Sequence, residues 1–352
     1  MLKRLRLHLR DYWKQGWLHK FIIIFAAVIL LSIGTMYGIA RWYIHTQASK
    51  PLQMGVSFIP AYAESLGIEP QETMDELLGI GVRNFRLVSY WNQGEPSQDQ
   101  YDFSQLDWQV AKAEAKGAKI TLTLGLRQPR WPECHMPDWA KDMPTEQWYS
   151  ELNDYIAAVI NRYKDSPSLK DYQLENEYFL KGFGICTDYS RERLISEYNL
   201  VKDLDPSKPV IIGRSNNALG FPVNEPKPDE FSISVYKRVW DAGVTHRYLE
   251  YPYPAWFYGY LAGVQKIYSG KDMTIGELQA EAWAPNGQSL AEITLDEQSK
   301  SLNAKRLKDR FGYGKATGMR QINMWGAEYW YYRKTVLNDS SLWDVARDEF
   351  RN

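Results

Sequence analysis

Apolar residues along this chain fall into short runs separated by longer stretches of helical periodicity. Eight runs read as strands: Met54–Phe58, Asn84–Val88, Lys119–Leu124, Asp171–Leu174, Val210–Gly213, Phe231–Val235, Met273–Gly276 and Gln321–Met324. Each is mostly apolar, as strands buried on both faces of a parallel sheet are. Between them, Trp148, Leu152, Tyr155, Ile156, Val159, Ile160 and Tyr163 recur at helical spacing behind Thr145, placed as a cap. Ser104 with Asp107 resembles a capping box ahead of Leu106, Val110 and Ala113, and Leu194, Tyr198 and Val201 form a third stripe. These stripes read as core-facing. Eight β/α alternations over about 300 residues predict a (β/α)8 TIM barrel across 52–352. An open doubly wound sheet is the competitor, but it usually carries a glycine-rich turn after its first strand. Here that place holds Ile59-Pro60-Ala61-Tyr62. The Gly312–Gly318 stretch fails phosphate-loop spacing and reads as a helix end with glycine caps.

Residues 21–40 contain no charge and match a bilayer-crossing helix in length. Basic residues precede this run, so the reading is a cytoplasmic tail (1–20), a transmembrane signal-anchor helix (21–40), a juxtamembrane linker (41–51) and an extracytoplasmic barrel. Trp42 and Tyr43 fit an outer aromatic belt. A cleavable signal peptide is the rival, because Gly38 and Ala40 are small enough for a cleavage site.

Charge and composition narrow the partners. Residues 1–41 hold seven Lys or Arg against one Asp, a net of six positive charges, so a whole-chain charge of −1 leaves the remainder at −7. An acidic body without a basic stripe argues against nucleic acid. The 14 Trp and 24 Tyr first imply a large aromatic core, and secondarily rings that stack on sugars. Two cysteines, Cys134 and Cys186, lie in the part read as exported and are candidates for a disulfide. With five scattered His they supply no metal-ligand spacing, and no cofactor is implied.

In a barrel the strand C-terminal ends form the active face. That face collects Arg86; Arg127, Trp131 and His135; Asn176 and Glu177; Asn216; Tyr236; Glu277; and Trp325 with Glu328. Strands four and seven stand across the mouth from one another, so Glu177 and Glu277 can share one space. Two such carboxylates, one protonated and one ionised, suit cleavage of a glycosidic bond.

Asn176-Glu177 and Gly276-Glu277 carry a resemblance to the clan of retaining glycoside hydrolases built on (β/α)8 barrels. Phe85-Arg86-Leu87 with Trp91 and Glu95-Pro96, and Tyr101-Asp102-Phe103 with Leu106-Asp107, are similar to stretches of its cellulase and β-galactosidase families. The resemblance spans 54–330 in element order and is close only in these motifs. It implies Glu177 as general acid/base and Glu277 as nucleophile. Arg86 and Tyr236 would hold the nucleophile ionised, Asn176 would orient the sugar 2-hydroxyl, and Trp325 would form a platform, with His135 and Trp131 lining a subsite. The expected activity is hydrolysis of β-glycosidic bonds in extracytoplasmic oligo- or polysaccharides by double displacement, with the bilayer as second partner through residues 21–40.

Rivals remain for each position. Glu281 competes with Glu277 as nucleophile, Glu175 is expected to alternate away from the site, and Glu328 binds sugar or anchors the last loop. A transglycosylase and a non-catalytic carbohydrate-binding barrel are the alternative functions.

Overall fold

All eight apolar runs form strands, and they close on themselves in the computed structural model, which describes residues 12–14, 16–215 and 226–351. In chain order the strands are β1 (Gln53–Phe58), β2 (Asn84–Leu87), β3 (Lys119–Leu124), β4 (Leu169–Leu174), β5 (Val210–Arg214) and β6 (Glu230–Val235). A hairpin follows, β7 (Arg238–Asp241) with β8 (Arg247–Glu250), and then β9 (Met273–Gln279) and β10 (Gln321–Trp325). The barrel order is β1-β10-β9-β6-β5-β4-β3-β2, all parallel, so β9 and β10 are its seventh and eighth staves. The fold is a (β/α)8 barrel, as the alternation of runs predicts.

The barrel closes tightly at β1. A Cβ on Gly55 would come within 2.6 Å of both Asn84 O and Asn323 Oδ1, so only glycine fits where β1 meets its two neighbours. Outside, the helix Thr145–Tyr163 buries the whole predicted stripe from Trp148 to Tyr163. Its capping differs from the sequence reading, because Pro144 precedes the helix and Thr145 is its first residue. Likewise Phe103, not Ser104, is the residue before helix Ser104–Ala115; Ser104 N instead donates to Asp102 Oδ1 at 2.9 Å. Gly312 and Gly314 lie inside helix Ala304–Ala316, and Gly318 follows it with φ of +84°.

Three features depart from the expected outline. The apolar N-terminal helix runs from Trp17 to Gln47, so residues 41–47 continue the helix instead of forming a linker. Its last third packs on the barrel helix Ala255–Ser269, where Gly259 and Gly263 let the two backbones approach. The β7–β8 hairpin was not expected, although Asp241-Ala242-Gly243 carries its turn chemistry. Asp241 accepts from the amides of Gly243, Val244 and Thr245, holding the loop shut.

Candidate active site

The two glutamates reach one cleft through two local backbone devices. At the end of β4, Glu175 and Glu177 both have positive φ, +54° and +45°, an arrangement that is costly for non-glycine residues. The resulting zigzag sends neighbouring carboxylates different ways. Glu175 accepts from the amides of Leu126 (2.7 Å) and Arg127 (3.0 Å) and pairs with Arg193 at 2.7 Å. Gly125 makes room for it, since a Cβ there would lie 2.4 Å from Glu175 Oε1. Glu177 instead lines the cleft. On β9 the register with β6 slips between Ile233/Ile275 and Ser234/Glu277, leaving Gly276 as an extra residue. A Cβ at Gly276 would sit 2.2 Å from Ser232 Oγ, so the bulge requires glycine and aims Glu277 at the cleft.

Both oxygens of Glu277 are held. Arg86 Nη1 donates to Oε1 at 2.9 Å and the Tyr236 hydroxyl donates to Oε2 at 2.6 Å, with Arg86 and Glu277 both buried. The other arm of Arg86 donates to Asn176 Oδ1 at 2.8 Å. Asn176 in turn donates to Glu133 Oε2 at 3.2 Å, and Arg127 Nε donates to the Asn176 carbonyl at 2.6 Å. A fixed chain thus runs from β2 through the nucleophile side of the cleft to the loop after β3.

Glu177 lives in different surroundings. Burial, reinforced by the charge of Glu277, raises its pKa from 4.5 to about 7, while the Ser234 and Ser215 hydroxyls and Arg127 oppose the rise. Its Oε1 has no hydrogen-bond partner among the described residues. One carboxyl is therefore clamped by a cation and a phenol, and the other keeps its proton near neutrality.

The remaining expected positions separate into two groups. Tyr236, Trp131 and Trp325 line the same cleft as the glutamates. The Trp325 indole donates to Glu281 Oε1 at 2.9 Å, and the guanidinium of Arg130 lies over its ring at 4.6 Å. Trp131 is 62% exposed at the rim, edge-on to Phe183. His135 is outside the cleft: it is buried, stacked on Tyr90 at 3.6 Å, and burial lowers its pKa to about 4. Its place is structural packing beneath the loop. Glu328 is likewise an anchor, accepting from the Ile59 amide at 2.5 Å. Glu281 is ion-paired to Arg130 at 3.0 Å, on the Tyr62 and Trp325 side of the cleft. Asn216 falls outside the described residues.

Sequence reasoning passed over Glu133, Arg130, Trp240 and Trp283, which line the cleft. Glu133 is the most consequential. Burial and the charge of Glu277 push its pKa to about 8, and its backbone φ is +71°. The signal available was its neighbour, because Cys134 is joined to Cys186 by a disulfide that ties the loop after β3 to the loop after β4. The cleft holds about 1110 Å³. That lies at the upper end of the roughly 300–1,000 Å³ of ordinary small-ligand pockets.

No family model matches the chain. It is 27% identical over 158 residues to mannan endo-1,4-beta-mannosidase F of Aspergillus fumigatus, covering 42% of this chain and 36% of that protein. The protein of the same name from Aspergillus clavatus is 26% identical over 157 residues, covering 41% and 36%. The chain thus spans little more than a third of the length of these relatives. Among solved structures it resembles a GH5_18 protein from Streptomyces cattleya in complex with GlcNAc, with TM-score 0.58, 10% identity, and 86% and 80% of the two chains covered. Xylanase 10B from Thermotoga petrophila in complex with xylobiose has TM-score 0.52, 16% identity, and 78% and 82% coverage. At these identities the structural likeness speaks for the barrel alone.

Proposed function

We propose that this protein is a retaining glycoside hydrolase that cleaves β-glycosidic bonds in oligo- or polysaccharides, with Glu177 as acid/base and Glu277 as nucleophile. The observation that carries the reading is the unequal treatment of the two carboxyls in one cleft. Arg86 and Tyr236 clamp Glu277, and burial keeps Glu177 protonated. The partial match to the two Aspergillus mannosidases supports a β-1,4-linked mannan backbone as the first substrate to test.

The chemistry follows from the charges. Glu277 attacks the anomeric carbon as Glu177 gives its proton to the departing glycosidic oxygen; the carbon–oxygen bond breaks and a glycosyl ester forms on Glu277. Esterification removes the Glu277 charge, one of the two causes that raise Glu177. Its pKa lowered, Glu177 is held as the carboxylate that base catalysis needs; it takes a proton from water while the water oxygen bonds to the anomeric carbon, whose bond to Glu277 breaks and frees that carboxylate. Asn176, fixed between Arg86 and Glu133, is positioned to meet the hydroxyl next to the reacting carbon. Trp283, edge-on to Tyr236 at 5.6 Å, extends the cleft with an aromatic wall.

The proposal includes a membrane anchor. The helix Trp17–Gln47 exposes Phe21, Phe25, Val28, Leu30, Leu31 and Ile33, an apolar surface that water disfavours and a bilayer accepts. With basic residues before the helix, the barrel would lie outside the cytoplasm. Azide tests the catalytic half. Glu177→Ala turns over an activated aryl β-mannoside slowly and recovers with azide, whereas Glu277→Ala stays inactive. Full activity in both variants would end the proposal.

A further inference from the structure

A third acid stands on the cleft wall with the two catalytic glutamates, and the loop after β3 is built to hold it there. Glu133 lines the cleft yet is buried, with a backbone φ of +71° that a residue with a side chain adopts at a cost. Its carbonyl accepts from the Gln128 amide at 2.8 Å, and its own amide donates to the Arg130 carbonyl at 2.9 Å. Cys134, the next residue, is bridged to Cys186. From the loop after β4, Gly184 presses so closely that a Cβ there would lie 2.6 Å from Glu133 Cβ. Two loops and a covalent bond thus fix one side chain.

A counter-ion for Arg127 would not need this arrangement. Glu175 shows how a closed buried pair is made: it meets Arg193 at 2.7 Å and accepts from two amides besides. Glu133 meets Arg127 only at 3.6 Å, too far for a hydrogen bond, and Arg127 Nη2 has no hydrogen-bond partner among the described residues. The rest of that guanidinium is committed elsewhere, Nε to the Asn176 carbonyl and Nη1 to the Phe183 carbonyl at 2.9 Å. Among the described residues, the Glu133 carboxyl receives a hydrogen bond only at Oε2, from Asn176 Nδ2. Oε1 receives none, so a buried acid on the wall of a cleft keeps half its bonding capacity unused.

Asn176 defines what that capacity suits. Its Oδ1 accepts from Arg86 at 2.8 Å and from Gln173 at 3.2 Å, which fixes the amide orientation, and one Nδ2 hydrogen goes to Glu133. The second Nδ2 hydrogen remains. Burial and the charge of Glu277 push the Glu133 carboxyl up to about 8, so it carries a proton at neutral pH. With Oε2 accepting from Asn176, that proton belongs on Oε1. An N–H and an O–H therefore stand together near the two catalytic carboxyls. A sugar hydroxyl has two lone pairs and one hydrogen. Two donors fill the lone pairs and leave the hydrogen for a carboxylate.

We propose that Glu133 binds the substrate hydroxyl on the carbon next to the anomeric centre, jointly with Asn176, and that the pair makes the site select for that hydroxyl. The inference rests on the reading of the cleft as a glycosidase site with Asn176 at the same hydroxyl.

Matched aryl β-mannosides with and without the 2-hydroxyl test it on the full chain. Comparing variants on one substrate cancels that substrate's own reactivity, so kcat/KM on the two isolates the contact. Glu133→Leu should lose roughly 10–100-fold on the 2-hydroxy substrate and change little on the 2-deoxy one. Glu133→Gln should retain most activity, because its carbonyl replaces Oε2 opposite Asn176 and its N–H replaces the O–H. Glu133→Asp keeps the acid but withdraws it by one methylene, and should repeat the selective loss even if the leucine variant does not fold. Equal losses on both substrates, or a glutamine variant as impaired as the leucine one, overturn the contact. No turnover of either substrate, or of the corresponding glucoside and xyloside, by the wild-type chain points instead to failure of the hydrolase reading.

Discussion

Replacing Glu177 with Gln keeps the side-chain shape and removes the proton on which leaving-group departure depends. Burial and the Glu277 charge move this carboxyl from 4.5 to about 7. At about 1.36 kcal/mol per pH unit this is roughly 3 kcal/mol, and at pH 7 it raises the protonated fraction about 150-fold over an unshifted glutamate. For substrates with a poor leaving group, kcat/KM should therefore fall tenfold per pH unit above about pH 7, since this ratio reports the free enzyme. Glu177→Gln should lose about 10²–10⁴ in rate and lose the alkaline limb with it. A dinitrophenyl glycoside, which departs without protonation, should show a much smaller loss in the first step. Glu133, pushed to about 8, is the other titrating carboxyl nearby, and Glu133→Gln should leave the limb in place. A limb that survives in Glu177→Gln, or one centred at the ordinary carboxylate value, refutes the assignment.

Three other outcomes follow from the buried charges and the cross-link. Glu328 is raised from 4.5 to about 7, so the folded state holds its proton more tightly than the unfolded chain. Its contribution is complete below 4.5 and lost as pH rises through 7, so Glu328→Gln should flatten the fall in Tm over that window relative to the parent; an unchanged difference between them contradicts the shift. Reducing Cys134–Cys186, which spans 52 residues, should lower stability by up to about 4 kcal/mol on chain-entropy grounds and loosen the loop carrying Glu133, read as a lowered Tm together with a raised KM. Glu175→Gln should act on folding first: removing one partner of its buried pair with Arg193 costs about 3–5 kcal/mol, visible as a lowered urea midpoint. A Glu175→Gln protein of full stability but no activity would move that residue into the chemistry.

Much of this architecture is legible in the pattern of residues, for identifiable physical reasons. Strands buried on both faces are mostly apolar, so all eight runs stand out. Counting them places Glu177 and Glu277 at opposed strand ends. What is not legible depends on long-range geometry. The bulge at Gly276 is invisible until β6 and β9 pair; the sequence pattern ends the strand at Gly276, whereas β9 runs on to Gln279 with Glu277 inside it. Glu133 looks like an ordinary loop acid until the disulfide folds its loop over the cleft. His135 carries a catalytic residue type but spends it on stacking with Tyr90. The N-terminal helix shows the same limit: composition reveals its length, while its seating against Gly259 and Gly263 emerges only from packing.

Covalent trapping tests the central assignment most directly. Incubation with a 2-fluoro β-mannoside bearing an activated leaving group should add one fluoroglycosyl mass to the protein, and peptide mapping should find it on Glu277. An adduct on Glu281 or Glu133, or hydrolysis with inversion and no adduct, would contradict the account.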